Sequence, residues 1–190
     1  MKKMNNKGFT LIELLAVITI MGILMMVAIP AVTRTIENSR RDTFATTAGE
    51  YLNAVRNQYM ADNIECKTVN SGTSFVVASG TPDGTYYFPI DSTAQNTVDL
   101  MESGGKSPFG NTDVQGYVKW TKTTSATSDG GSKTKIVYSI RLADSGKHGL
   151  QQGTQCEFEG KDLKRVNVAT SATTCTQSKT VTGGYECRLS

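Results

Sequence analysis

The sequence predicts an α+β protein: one long N-terminal α-helix whose C-terminal half packs on an antiparallel β-sheet. Three observations predict it. Residues 9–32 are apolar nearly end to end. From 33 to 62 apolar side chains recur at spacings of three and four, which puts them on one helical face. After Asn63 the texture changes to short β-rich runs separated by Gly, Ser, Thr and Asp.

The apolar block comes first. Its 24 residues reach about 36 Å as a helix at about 1.5 Å per residue, more than the roughly 30 Å hydrocarbon core of a bilayer. Lys2, Lys3 and Lys7 precede it with no acid among them, which favours a cytoplasmic N-terminus and an exported C-terminal bulk. These three lysines also account for the whole excess of 20 basic over 17 acidic side chains. No basic stripe remains downstream, so a nucleic-acid partner is not indicated. A cleaved secretory signal fits poorly. Its apolar core would be about 7–15 residues, and here the run is longer and ends in "AIPAV", with a proline where a cleavage site would be sought.

One carboxylate, Glu13, sits inside the block. Ionised near the bilayer centre it would cost roughly 2.5–3.5 kcal/mol, less this close to the start of the run. No basic residue occurs between Glu13 and Arg34, so the same helix supplies no intramembrane partner. A counter-ion must come from outside. A cut between Gly8 and Phe9 would create a new α-amine four residues upstream, able to pair with the Glu13 of a neighbouring copy.

The stretch "KGFTLIELLAVITIMGIL" resembles the prepilin leader and N-terminal helix of the type IV pilin and pseudopilin superfamily. The resemblance covers about the first 30 residues. It implies a type IV pilin-like fold, a leader of residues 1–8, cleavage between Gly8 and Phe9 by a membrane prepilin peptidase, and N-methylation of Phe9. It assigns Glu13 to subunit recruitment and register. Physical reasoning agrees. Glycine at the cut lets an extended backbone enter a cleft without a Cβ. In a water-free filament core, a carboxylate–ammonium pair selects the one axial stagger that satisfies both ions. Gly22 and Pro30 cost about 1 and 3 kcal/mol in a helix interior, and Pro30 leaves the Met26 carbonyl unbonded. By the same resemblance they are expected to bound a segment that melts as the subunit leaves the bilayer. As ordinary membrane-helix residues they would need no such role.

In the second half of the helix, Phe44, Ala48, Tyr51, Leu52, Val55 and Tyr59 form the stripe expected to pack on the head. The β-rich runs are residues 73–79, 85–90, 114–123 and 133–144, and the Asp-Gly-Gly between the last two signals a hairpin. Ile136, Tyr138, Ile140 and Leu142 form a period-two face. Residues 92–103 read as a short helix and 106–111 as a turn, the latter resembling a Pro-aromatic-Gly motif seen before a strand in many pilins. Three to five strands are expected, with further short ones in the polar tail after Leu150.

Cys66, Cys156, Cys175 and Cys187 all lie beyond the membrane segment. An even count in an exported, turn-rich chain favours two disulfides, and sequence leaves all three connectivities open. Zinc would need C-x₂₋₄-C spacing or nearby histidines; neither occurs, so no metal and no cofactor is expected. His148, the only histidine, lies in a loop-like stretch and is expected to be solvated. No G-x-S-x-G elbow, P-loop or dinucleotide fingerprint is present, so the chain reads as a substrate for proteolysis and methylation rather than as an enzyme.

These readings divide the chain into a leader (1–8), a membrane and filament-core helix (9–32), an amphipathic continuation (33–62) and a disulfide-stapled β-rich head (63–190). The expected function is a structural subunit of a type IV pilus, major or minor, with cell-surface adhesion or twitching motility as its setting. The alternative is a pseudopilin of a type II secretion or competence DNA-uptake system. Secretion pseudopilins carry an aspartate-rich C-terminal calcium loop, which this tail lacks. A monomeric membrane-anchored binding domain is the third reading. Expected partners are other copies and related pilins, the prepilin peptidase, an inner-membrane assembly platform and the membrane itself. The expected location is a single-pass membrane protein that becomes an extracellular filament.

Overall fold

A computed structural model describes residues 10–69, 74–76, 81–93, 100, 105–110, 112–178 and 183–190. The leader, including Gly8 and Phe9, and most of the expected 92–103 helix lie outside the described residues. The chain divides into two compact units, the first ending at Ser39 and the second running Arg40–Ser190.

Helix α1 spans Leu11–Met60. In the first unit its long apolar side chains are bare, with exposures from 48% at Ile36 to 85% at Leu11. In the second unit the same helix buries Phe44, Ala45, Thr47, Ala48, Tyr51, Leu52 and Val55, and Tyr59 packs partly buried against the same core. The three-and-four spacing thus marks the buried face, and it also takes in Ala45 and Thr47.

The head is a sheet of nine described strands: β1 Ile64–Thr68, β2 Ser74–Val76, β3 Gly84–Asp91, β4 Val114–Ala126, β5 Ser132–Asp144, β6 Gly149–Leu150, β7 Phe158–Glu159, β8 Val168–Ala169 and β9 Tyr185–Leu189. Their order is β2-β1-β9-β3-β4-β5-β6-β8, with β7 pairing β5. Strands β1 to β5 fill the three to five expected, and β7, β8 and β9 are the further short ones expected in the tail. The sheet is not purely antiparallel: β9 runs parallel to β3, with Tyr86 opposite Tyr185 and Tyr87 opposite Glu186. The C-terminal strand returns across the sheet and enters between β1 and β3, a long-range pairing that no local pattern encodes.

The centre is the β4–β5 hairpin, paired over 13 rungs from Val114↔Asp144 to Ala126↔Ser132. Its turn closes with Thr127 N–H donating to the Gly131 carbonyl at 2.8 Å. Gly130 supplies the left-handed φ of +83° that the turn requires. Side chains alternate as the period-two pattern demands: Val118, Trp120, Ile140 and Leu142 are fully buried. Trp120 stacks on Tyr86 (5.4 Å) and meets Tyr59 edge-on (5.5 Å), which locks the helix stripe onto the sheet. Lys122 shares the buried face because its ammonium donates to the Thr81 carbonyl at 2.6 Å.

Candidate functional site

The N-terminal site begins with the residues that start α1. Thr10 N–H and Thr10 Oγ1 both donate to Glu13 Oε2 at 2.8 Å, and Glu13 N–H returns to Thr10 Oγ1 at 3.4 Å. This is a capping box: two backbone donors of the first turn are satisfied by the two side chains. Its sequence signal is T-x-x-E, "TLIE", which the expectation of a counter-ion from outside does not use. The acid has a local partner after all, a neutral one. Among the described residues, Glu13 Oε1 accepts no hydrogen bond, so half of the carboxylate stays open to a cation from another molecule.

Gly22 and Pro30 both lie inside the helix, which runs through them. A Cβ at Gly22 would meet nothing within 4 Å, so the isolated chain does not require glycine there. Around Pro30, Thr33 Oγ1 donates to the Ile29 carbonyl at 2.9 Å and Thr35 Oγ1 to the Ala31 carbonyl at 3.0 Å. Such back-bonding loosens the helical ladder, and it adds to the bond that Pro30 removes.

In the head, the clearest polar constellation centres on Asp144, which is 2% exposed at the end of β5. It accepts from Ser107 Oγ at 2.7 Å, from Thr112 Oγ1 at 3.1 Å and from His148 N–H at 2.8 Å. His148 Nδ1 stands 2.9 Å from Asp144 Oδ2. The His148 ring stacks on Phe109 at 4.1 Å, and Phe109 in turn packs on Phe44 of α1 at 6.2 Å. His148 is therefore held in a knot rather than solvated as expected. The 105–110 turn is pinned by the same knot, which gives the Pro-aromatic-Gly segment a structural reason. Ser, Asp and His meet here in the wrong order for nucleophilic catalysis. The carboxylate stands between hydroxyl and imidazole, so His148 is not placed to take a proton from Ser107. Among the described residues, no group of three or more His, Cys, Asp or Glu is arranged to hold a metal ion.

The four cysteines pair as Cys66–Cys187 and Cys156–Cys175. The first bond joins directly opposed residues of β1 and β9. The second closes a 19-residue span of the tail.

Residues 3–29 match the family model described as "Prokaryotic N-terminal methylation motif". The chain carries a type IV prepilin signature. The match covers residues 3–8 of the expected leader, the expected cut, Glu13 and Gly22, and it leaves Pro30 and the head uncovered. No curated protein and no solved structure matches the chain. The prepilin motif implies processing by a prepilin peptidase and assembly into filaments. One long helix followed by a mostly antiparallel sheet is the α+β, type IV pilin-like fold. The 18-residue apolar window near the start of α1 has a mean hydropathy of 2.6 with none of it buried, which fits a membrane-anchored precursor. The signature supports a precursor of the pilin or pseudopilin type, and nothing matched divides the two.

Proposed function

We propose that this prepilin is a structural subunit of a type IV pilus. The peptidase removes residues 1–8 at the Gly8–Phe9 bond and methylates Phe9. An inner-membrane assembly platform then draws the mature chain from the bilayer, and copies, alone or with related pilins, polymerise through α1 into an extracellular filament. The observation that carries this reading is the bare apolar half of α1 with one acid at its start. Lipid covers such a surface before assembly, and only other copies of the same surface cover it afterwards. Glu13, with one carboxylate oxygen open, takes the Phe9 amine of a neighbour and fixes the axial register. Gly22 and Pro30, with the threonines beside Pro30, let the intervening turns melt as the chain leaves the membrane.

The test is electron microscopy of material sheared from producing cells, with mass spectrometry of the chain it contains. The expected result is fibres whose subunit begins at methylated Phe9. Surface material without fibres, or a mature chain beginning elsewhere, overturns the reading. Fibres retained beneath the cell surface would transfer the chain to a secretion or uptake machine.

A further inference from the structure

The β4–β5 hairpin is longer than its own sheet. Strand β3 leaves β4 at Gly84↔Lys122, and β7 meets β5 only at Ser139 and Ile140. The last four rungs, Thr123↔Lys135 to Ala126↔Ser132, have no third described strand beside them. A two-stranded ribbon is marginal in water by itself, and this one has no core face: Thr123–Ala126 and Ser132–Lys135 are exposed throughout. Asp83 clamps its base, accepting from Thr124 N–H at 2.6 Å and Thr124 Oγ1 at 2.8 Å. A held, extended arm with nothing to cover is built to be covered by something else. It carries two cations, Lys133 and Lys135, on one face of β5, and Asp129 at its turn. Neither lysine has an ion pair among the described residues.

Elsewhere in the head, α1 and the two 3₁₀ turns at Gly160–Asp162 and Arg165–Asn167 enclose an open groove of about 700 Å³. Small residues make its floor: a Cβ at Gly49 would come within 3.8 Å of Leu163 across it. Its helical wall carries Asp42 and Glu50, and its other wall carries Lys164, Arg165 and the 72%-exposed Val166. Arg165 reaches Asp42 at 3.4 Å across the mouth, whereas Glu50 has no ion pair among the described residues. The groove thus presents an acidic wall facing a basic and apolar one, and the arm presents a basic strand beside an acidic turn.

The two features cannot meet within one head. Tyr59 packs on Trp120, so the arm, which starts after Lys122, lies beyond the C-terminal end of α1 and extends about 14 Å further at about 3.4 Å per residue. The groove lies along residues 42–53 of the same helix, at the end where Phe44 meets Phe109. A knob and a socket on different ends of one body make a heterologous contact, which generates a ring or an open helical chain, and along a filament the open chain. We propose that the hairpin arm of one copy seats in the α1–turn groove of another, with Lys133 and Lys135 against Glu50, so that heads as well as helices are joined along the filament. The inference rests on the filament reading above.

The test uses full-length chains in producing cells. All four native cysteines are paired, so a Lys135→Cys/Glu50→Cys variant introduces the only two free thiols. Mild oxidation of sheared filaments is expected to give a ladder of covalent multimers on a non-reducing gel. The Lys133→Glu/Lys135→Glu variant is expected to lower filament yield at least fivefold, with Glu50→Lys restoring part of it. Wild-type filaments together with monomers only from the cysteine pair, or wild-type yield from the charge-reversed arm, overturn the inference while leaving the filament reading intact. Absence of wild-type filaments removes the filament reading first. The mutated positions are solvent-exposed, and unchanged Trp120 near-ultraviolet dichroism checks that the head still folds.

Discussion

Replacing Cys66 and Cys187 together by alanine is expected to weaken the head more than replacing Cys156 and Cys175. Among the described residues, strands β1 and β2 reach the rest of the sheet only through β9, and β9 reaches β3 through two parallel register pairs. The bond between Cys66 and Cys187 fastens this flank. It spans 121 residues, of which the second disulfide already excises 19, leaving an effective loop of roughly 100. In the chain-entropy picture, closing such a loop is worth about 4.7 kcal/mol, against about 3 kcal/mol for the shorter one. Cys66 and Cys187 are 1% and 3% exposed and Cys175 is 1% exposed, so lost packing adds to both variants, at two buried sulfurs in the first and one in the second. Against a total stability of about 5–15 kcal/mol this is a large share. At a urea slope of about 2 kcal/mol/M, the midpoint should fall by about 2.4 M for Cys66→Ala/Cys187→Ala and about 1.5 M for the other pair. The assay is urea unfolding of each full-length variant in one detergent, read by Trp120 near-ultraviolet dichroism. A larger drop for the Cys156–Cys175 variant, or a drop below about 0.5 M for the first, would refute the argument.

Four further outcomes are expected. Glu13→Gln keeps an oxygen acceptor for Thr10 and removes the charge, so it should leave α1 capped and leader cleavage intact while cutting filament yield; Glu13→Ala should lose both, including about 1 kcal/mol of capping. Wild-type yield from Glu13→Gln in sheared preparations would show that charge is not what Glu13 contributes. Gly8 replaced by a bulky residue should leave an uncleaved precursor, seen as slower gel mobility. At Gly105, φ is +59° and a Cβ would come within 1.8 Å of the Tyr51 hydroxyl, so Gly105→Ala should destabilise the head by about 1–3 kcal/mol, partly relieved by Tyr51→Phe; thermal melts of the single and double variants check this. Burial pushes Tyr51, Tyr86, Tyr117 and Tyr138 up to about 12, and Glu157 adds to burial at Tyr117. The unfolded chain releases these protons near pH 10 and the folded chain near 12, so the tyrosines' contribution to stability should be constant below pH 10 and fall steadily between 10 and 12. Urea midpoints unchanged at pH 11 would count against buried, protonated phenols.

What local sequence pattern encodes in this chain, and what it does not, divides by the range of the interactions. Helix α1, its bare apolar half and its packing stripe come from residues within a turn or two of each other. So do the β4–β5 hairpin and its Asp-Gly-Gly turn. The capping box is equally local, since Thr10 and Glu13 lie three residues apart. His148 departs from its expected solvation for the opposite reason: its ring stacks on the distant Phe109, and its neighbour Asp144 is held by Ser107 and Thr112, 37 and 32 residues from it, and no spacing rule links these groups.

By itself the sequence determined the prepilin signature: a basic N-terminus, a glycine before the expected cut, a membrane-length apolar stretch and an acid at its start are contiguous, so one stretch carries it. Only tertiary structure decided which cysteines meet, that β9 enters parallel to β3, that Asp144 gathers four donors, and that the hairpin overshoots its sheet while a groove opens along α1. Each of these depends on groups brought together across tens of residues, where burial and hydrogen bonding in three dimensions select one pairing among many that the linear pattern permits equally well.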